Sequence, residues 1–119
     1  MSVRVVNLVI PQGADFQNSF ILEDVNNTPV DLTNYSGISQ IKKHPSSKTS
    51  VGFAVSFPNP TLGQVQISLA STVTSQIKFG KYVYDLLLTD NSGTKSRVIE
   101  GTVTVTAGVS TSWVKWKLG

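Results

Sequence analysis

KYVYDLLLTDNSGTKSRVIEGTVTVT, residues 81–106, is an apolar β-branched run, a turn signal and a second β-branched run. Val103 and Val105 alternate with Thr102, Thr104 and Thr106, so one face of the second run is built for a core and the other for water. The stretch predicts one long antiparallel hairpin. Two strands alone are only marginally stable in water, so the remaining chain has to supply further strands.

Working outward, the same period recurs. Val65, Ile67 and Leu69 alternate with polar residues, and so do Val51, Phe53, Val55 and Phe57. Phe16, Asn18, Phe20 and Leu22 give a further strand with one mainly apolar face. Ile38 to Lys43 forms a short strand, and Val3 to Ile10 another, which Pro11 ends or leaves at an edge because proline cannot donate to a ladder. Asp24 to Pro29 is dense in turn formers. Val30 to Gly37 reads as a turn or single 3₁₀ turn with Leu32 and Tyr35 folded inward. His44 to Ser50 is a loop. Ser71 is placed to cap one helical turn in which Val73 and Ile77 share a face, ended by Gly80. The apolar run from Tyr82 to Leu88 predicts a central strand covered on both sides.

Seven short strands with frequent turn signals predict an all-β, immunoglobulin-like antiparallel β-sandwich with one short helical turn, a small barrel being the competing arrangement. The chain of 119 residues suits one domain, long enough to bury roughly two-thirds of its unfolded surface. The expected organisation is a sandwich domain over residues 1–108 and a C-terminal extension or added strand over 109–119.

Charged residues make up 14%, against roughly 25% in ordinary soluble proteins, and Ser, Thr, Asn and Gln carry the polarity instead. Such a surface suits contact with other protein. A net charge of +3 is too small and too dispersed to point to a specific nucleic-acid partner. With no cysteine, disulfides and thiolate chemistry are excluded. Arg4 interrupts the first apolar stretch, which therefore reads as a strand rather than a signal peptide. No apolar run approaches the roughly 18 residues of a spanning helix, so no membrane partner is expected.

Catalytic candidates are few. His44, the only histidine, precedes Pro45 in a loop rich in Lys and Ser and reads as solvated. Adjacent Glu23 and Asp24 would face opposite sides of a strand. Asp85 interrupts an apolar strand, where burial would demand a partner such as Tyr82, Tyr84 or a turn amide, and it reads as a structural anchor. Asp90-Asn91-Ser92-Gly93 lacks the closing Glu of a calcium loop and reads as the hairpin turn. The sequence offers no catalytic, cofactor or metal residues.

Two stretches read as interaction candidates. Lys42, Lys43 and Lys48 form a basic loop that is either solvated or set against phosphate or an acidic partner. Ser112 to Gly119 carries both tryptophans, with Trp113, Lys115 and Lys117 alternating against Val114, Trp116 and Leu118. That strand-like pattern either folds back on its own sandwich or adds to a neighbour's sheet edge, with Trp113, Val114, Trp116 and Leu118 as the interface.

Gly13-x-x-Phe16, Leu22-x-Asp24, Pro29-x-Asp31-Leu32-Thr33-x-Tyr35, Gln40-Ile41-Lys42, Gly63-x-Val65, Leu69, Gly80-x-Tyr82-x-Tyr84-Asp85-Leu86 and Gly101-x-Val103-x-Val105 span residues 5–107. Together they resemble the small β-sandwich module of tailed bacteriophages. That module stands at the N-terminus of baseplate upper proteins and in short tail-fibre or capsid-associated proteins. The resemblance implies a structural role in the virion, without catalysis or cofactor. It also implies docking to other virion proteins or to copies of itself as a trimer or hexamer. The chain departs from longer members in stopping at Gly119, with no receptor-binding domain after the sandwich. The alternative function is a monomeric carbohydrate- or ligand-binding sandwich that stacks sugar rings on Trp113, Trp116 or Tyr35.

Overall fold

The computed structural model describes residues 3–108. Among them the strands are β1 (Arg4–Val5), β2 (Leu8–Pro11), β3 (Phe16–Ile21), β4 (Ser36–Lys42), β5 (Val51–Ser56), β6 (Gln64–Leu69), β7 (Gly80–Thr89) and β8 (Lys95–Thr106). A 3₁₀ turn spans Pro60–Leu62, and one helical turn, α1, spans Ser71–Thr74. The strand order is β1-β8-β7-β4-β5-β6-β3, with β2 following β1 along the same side of β8. Both pair with β8 in parallel.

The architecture is all-β and immunoglobulin-like, with β8, β7 and β4 in one layer and β6 and β3 in the other. The layers are not separate sheets. Val51 to Phe53 of β5 pair with β4, whereas Ala54 to Ser56 pair with β6, so one strand serves both and the sheet curls on itself. Ile41, Leu86, Leu88 and Val103 from one side meet Phe20, Val65 and Ile67 from the other in a single core. Phe53 sits where the layers join, its ring 5.9 Å from Phe16 and 6.0 Å from Tyr84. Such pairs favour edge-on and tilted geometry because ring edges are positive and faces negative.

The expected hairpin forms, with one irregularity. Leu86 pairs with Ile99 but Leu87 with Arg97, so Val98 is an extra residue on β8. Val98 and Ile99 are consequently both buried, which breaks strict alternation.

Several expectations are corrected. The first strand is two, β1 and β2, divided at Val6 and Asn7 where the chain crosses Gly101, so eight strands replace the seven expected. β4 begins at Ser36, and its inward residues are Gly37, Ser39 and Ile41, leaving Ile38 59% exposed. The reason is steric at one position: a Cβ on Gly37 would lie 2.8 Å from the Val55 side chain, so no larger residue fits there without displacing it. Residues 31–35, by contrast, form a turn as expected, with Leu32 buried and Tyr35 packed against the core. β7 is central, but Val83, Asp85 and Leu87 on its outer side are only half-buried, so no second layer covers that face among the described residues.

In α1 the inward residue is Thr74, fully buried, rather than Val73. The N-cap is Ala70, not Ser71, and the Ser71 N–H donates to Asp15 Oδ1 at 2.7 Å. The Thr74 hydroxyl donates to the Ala14 carbonyl at 2.8 Å and accepts from the Gly13 N–H at 3.1 Å, pinning the turn between β2 and β3. Thr74→Val keeps the shape but orphans the Gly13 N–H, and should cost about 2 kcal/mol in chemical denaturation. Thr74→Ser should recover most of that loss.

Candidate interaction surface

The chemistry-bearing residues do not assemble. His44 is exposed, its N–H accepted by Ser47 Oγ at 3.0 Å within the loop after β4. Asp24 is used by its own turn, where Oδ1 accepts from the N–H groups of Asn26 at 2.8 Å and Thr28 at 3.0 Å. Glu23 sits in an isolated bridge to Pro29, so the two carboxylates serve different local purposes. Among the described residues no three His, Asp or Glu side chains come together as a metal site would require.

Asp85 is not buried, and its partner is neither a tyrosine nor a turn amide. Its side chain is 41% exposed and its carboxylate meets Arg97 Nε at 3.2 Å. Glu100 stands directly opposite Asp85 across the strand pair, and the bulge at Val98 brings Arg97 close enough to offset that like charge. An ion pair this exposed contributes at most about 1 kcal/mol.

The Asp90 turn closes the hairpin as expected. Asp90 Oδ1 accepts from Ser92 Oγ at 2.8 Å and from the N–H groups of Ser92 and Thr94, each at 2.9 Å. The Ser92 hydroxyl, then the Thr94 N–H, hold the carboxyl below the usual aspartate range, and Thr33 does the same for Asp31. Groups with lowered folded pKa stabilise the fold above the ordinary carboxylate range and lose that effect as pH falls through the lowered value. Amide shifts of Ser92 and Thr94 should therefore titrate together below about pH 4, and Asp90→Ala should abolish the transition.

The basic loop is not one patch. Lys43 Nζ donates to the Lys81 carbonyl at 3.0 Å and lies 4.9 Å from the centre of the Tyr82 ring, so it is held against β7. Lys42, the last residue of β4, stands opposite Val83 of β7.

The edges of the sheet differ. At one end β1 and β2 form a broken edge, divided at Val6 and Asn7 and ended by Pro11. At the other, β3 pairs only with β6, in unbroken register from Phe16 opposite Leu69 to Ile21 opposite Gln64. The Leu22 N–H donates to the Gly63 carbonyl at 2.8 Å, which fixes the ladder phase. By that phase Gln17, Ser19 and Ile21 turn their backbone N–H and C=O groups away from β6. Natural sheets blunt such edges with Lys, Pro, bulges or brevity. β3, reading FQNSFI, has no charge, no proline and no bulge.

Trp113, Val114, Trp116 and Leu118, the interface expected from the sequence, lie outside the described residues. The last described residue, Gly108, is tied to the turn before β3, its N–H donating to Gln12 Oε1 at 3.0 Å. The open edge of β3 was not read from the sequence. The signal was present, since a neutral six-residue alternation without Lys or Pro is what an unprotected edge looks like, but nothing in it says which strands lack a second neighbour.

No protein-family model matches the chain, and no curated protein does. Among solved structures, the Listeria monocytogenes internalin-like protein lmo2027 is similar at 13% identity and a TM-score of 0.40, over 85% of this chain. This chain spans only 27% of that one. Murine CRIg is similar at 12% identity and a TM-score of 0.38, over 85% of this chain and 91% of its own.

Proposed function

We propose that the protein is a non-catalytic structural component of a bacteriophage particle, an assembly, adaptor or decoration module of the tail, baseplate, fibre or capsid. The observation that carries this reading is the open edge of β3, six residues of neutral strand with outward-facing backbone donors and acceptors. The low charge of the chain, 14%, supports it, since charged residues are depleted from the cores of protein interfaces. The phage-module resemblance adds the setting, a particle in which copies pack about a three-fold or six-fold axis.

Light scattering coupled to size-exclusion chromatography tests it on the full chain. A trimer or hexamer that persists on dilution to micromolar concentration is the expected result, together with recovery of the chain in purified phage particles. A monomer at every concentration, absent from particles, overturns the reading.

A further inference from the structure

We propose that residues 112–118 of one copy add as an antiparallel strand to the open edge of β3 in a second copy. This rests on the assembly reading above and names the partner of that edge.

Length and pattern match. SWVKWKL holds seven residues without Pro or Gly and alternates apolar with basic from Val114 to Leu118, against six residues of β3. Added beside β3, Val114, Trp116 and Leu118 continue its inward apolar side, where Phe20 is buried, while Trp113, Lys115 and Lys117 face outward. Charge matches too. Asp15 and Glu23 flank the edge, both exposed, and the segment carries two lysines and no acid.

Chain direction selects a second copy over the chain's own tail. The described chain ends at Gly108 beside Gln12, at the Phe16 end of β3. From there a tail folding back in its own molecule could only run parallel to β3. Parallel pairs are slightly weaker per residue than antiparallel ones. The crossing is also long. Passing β2 and the gap between layers takes about 15 Å at ordinary spacings. The four steps from Gly108 to Ser112 reach at most about 14 Å. A second copy meets neither limit.

The chain has no cysteine, so cross-linking can read the contact directly. Full-length chains carrying Lys115→Cys are mixed with chains carrying Gln17→Cys, Ser19→Cys or Ile21→Cys, and oxidised. At least one mixture should give a disulfide-linked heterodimer, because a bridge forms only where the Cα atoms approach within about 7 Å. In parallel, Ser19→Pro removes one outward N–H without touching the β6 ladder and should weaken assembly about tenfold. If chains carrying both cysteines instead close on themselves as monomers, the tail lies in its own molecule and the proposal falls. If oligomers persist with no cross-link in any mixture and Ser19→Pro assembles like the parent, the edge has another occupant and only this proposal fails. A chain that is monomeric throughout removes the assembly reading as well.

Discussion

Gly63→Ala is expected to lower the free energy of unfolding by about 3 kcal/mol, seen as an earlier denaturation midpoint at unchanged slope. Two separate costs meet at this position. Gly63 ends the 3₁₀ turn with φ +73°, a left-handed conformation that a Cβ disfavours. A Cβ there would also collide with the Leu22 carbonyl oxygen and lie 3.1 Å from the carbonyl oxygen of Val30. Neither neighbour can give way cheaply, because each is backbone within a linked set. The Leu22 N–H donates to the Gly63 carbonyl at 2.8 Å, and the Val30 N–H donates to the Leu22 carbonyl at 2.9 Å. Gly93 supplies the comparison. Its φ is +88°, and an added Cβ would meet nothing within 4 Å. Gly93→Ala should therefore cost only about 1 kcal/mol, the conformational part alone. Equal losses in the two variants would show that the close backbone packing around Gly63 contributes nothing.

Strand identity was legible wherever one face of a strand is buried, because period two is the direct imprint of a single covered side. β6 is the plainest case, with Val65, Ile67 and Leu69 buried and the residues between them half-exposed. Pairing was less legible. The alternation of Val51, Phe53 and Val55 marks β5 as a strand but says nothing of its changing neighbours halfway along, which is what curls the sheet. β4 misleads through size: Ile38 is the obvious core residue by hydropathy, yet the inward position beside Val55 has room only for Gly37. Thr74 is buried because Gly13 and Ala14 come to it from far along the chain, and no local pattern announces that. The candidate site follows the same logic. The segment around Trp113 and Trp116 stood out by composition, whereas the open edge of β3 is a property of topology and appears only when the pairings are known.

One signal was visible and under-read. A glycine inside a strand commonly marks a close backbone approach, and Gly101 lies within the alternating run of β8. There the chain between β1 and β2 crosses, so that a Cβ on Gly101 would collide with the Val6 carbonyl oxygen and lie 2.8 Å from its carbon. Three hydrogen bonds hold the crossing. The Val6 N–H donates to the Glu100 carbonyl at 2.9 Å, the Tyr84 hydroxyl to the Val6 carbonyl at 2.6 Å, and the Thr102 N–H to Asn7 Oδ1 at 3.1 Å. Burial raises the Tyr84 pKa above the usual phenol range, so the hydroxyl stays protonated and able to donate.

Gly101→Ala should therefore lift the crossing segment and loosen β2, whose Leu8 and Ile10 are buried in the core. The expected loss is about 4 kcal/mol, combining overpacking against backbone with broken hydrogen bonds. Tyr84→Phe in the parent should cost about 1 kcal/mol, since it removes one buried donor from a carbonyl. In the Gly101→Ala background the same change should cost close to nothing, because the acceptor has already moved away. That coupling separates a specific crossing from general crowding in the core, where the two losses would simply add. Hydrogen exchange gives the local view: the Val6 amide should lose protection in Gly101→Ala, while amides of β6, in the other layer, keep theirs relative to global stability. A Gly101→Ala chain as stable as the parent, with the Val6 amide still protected, would mean that the N-terminal strands do not cross β8 at this glycine.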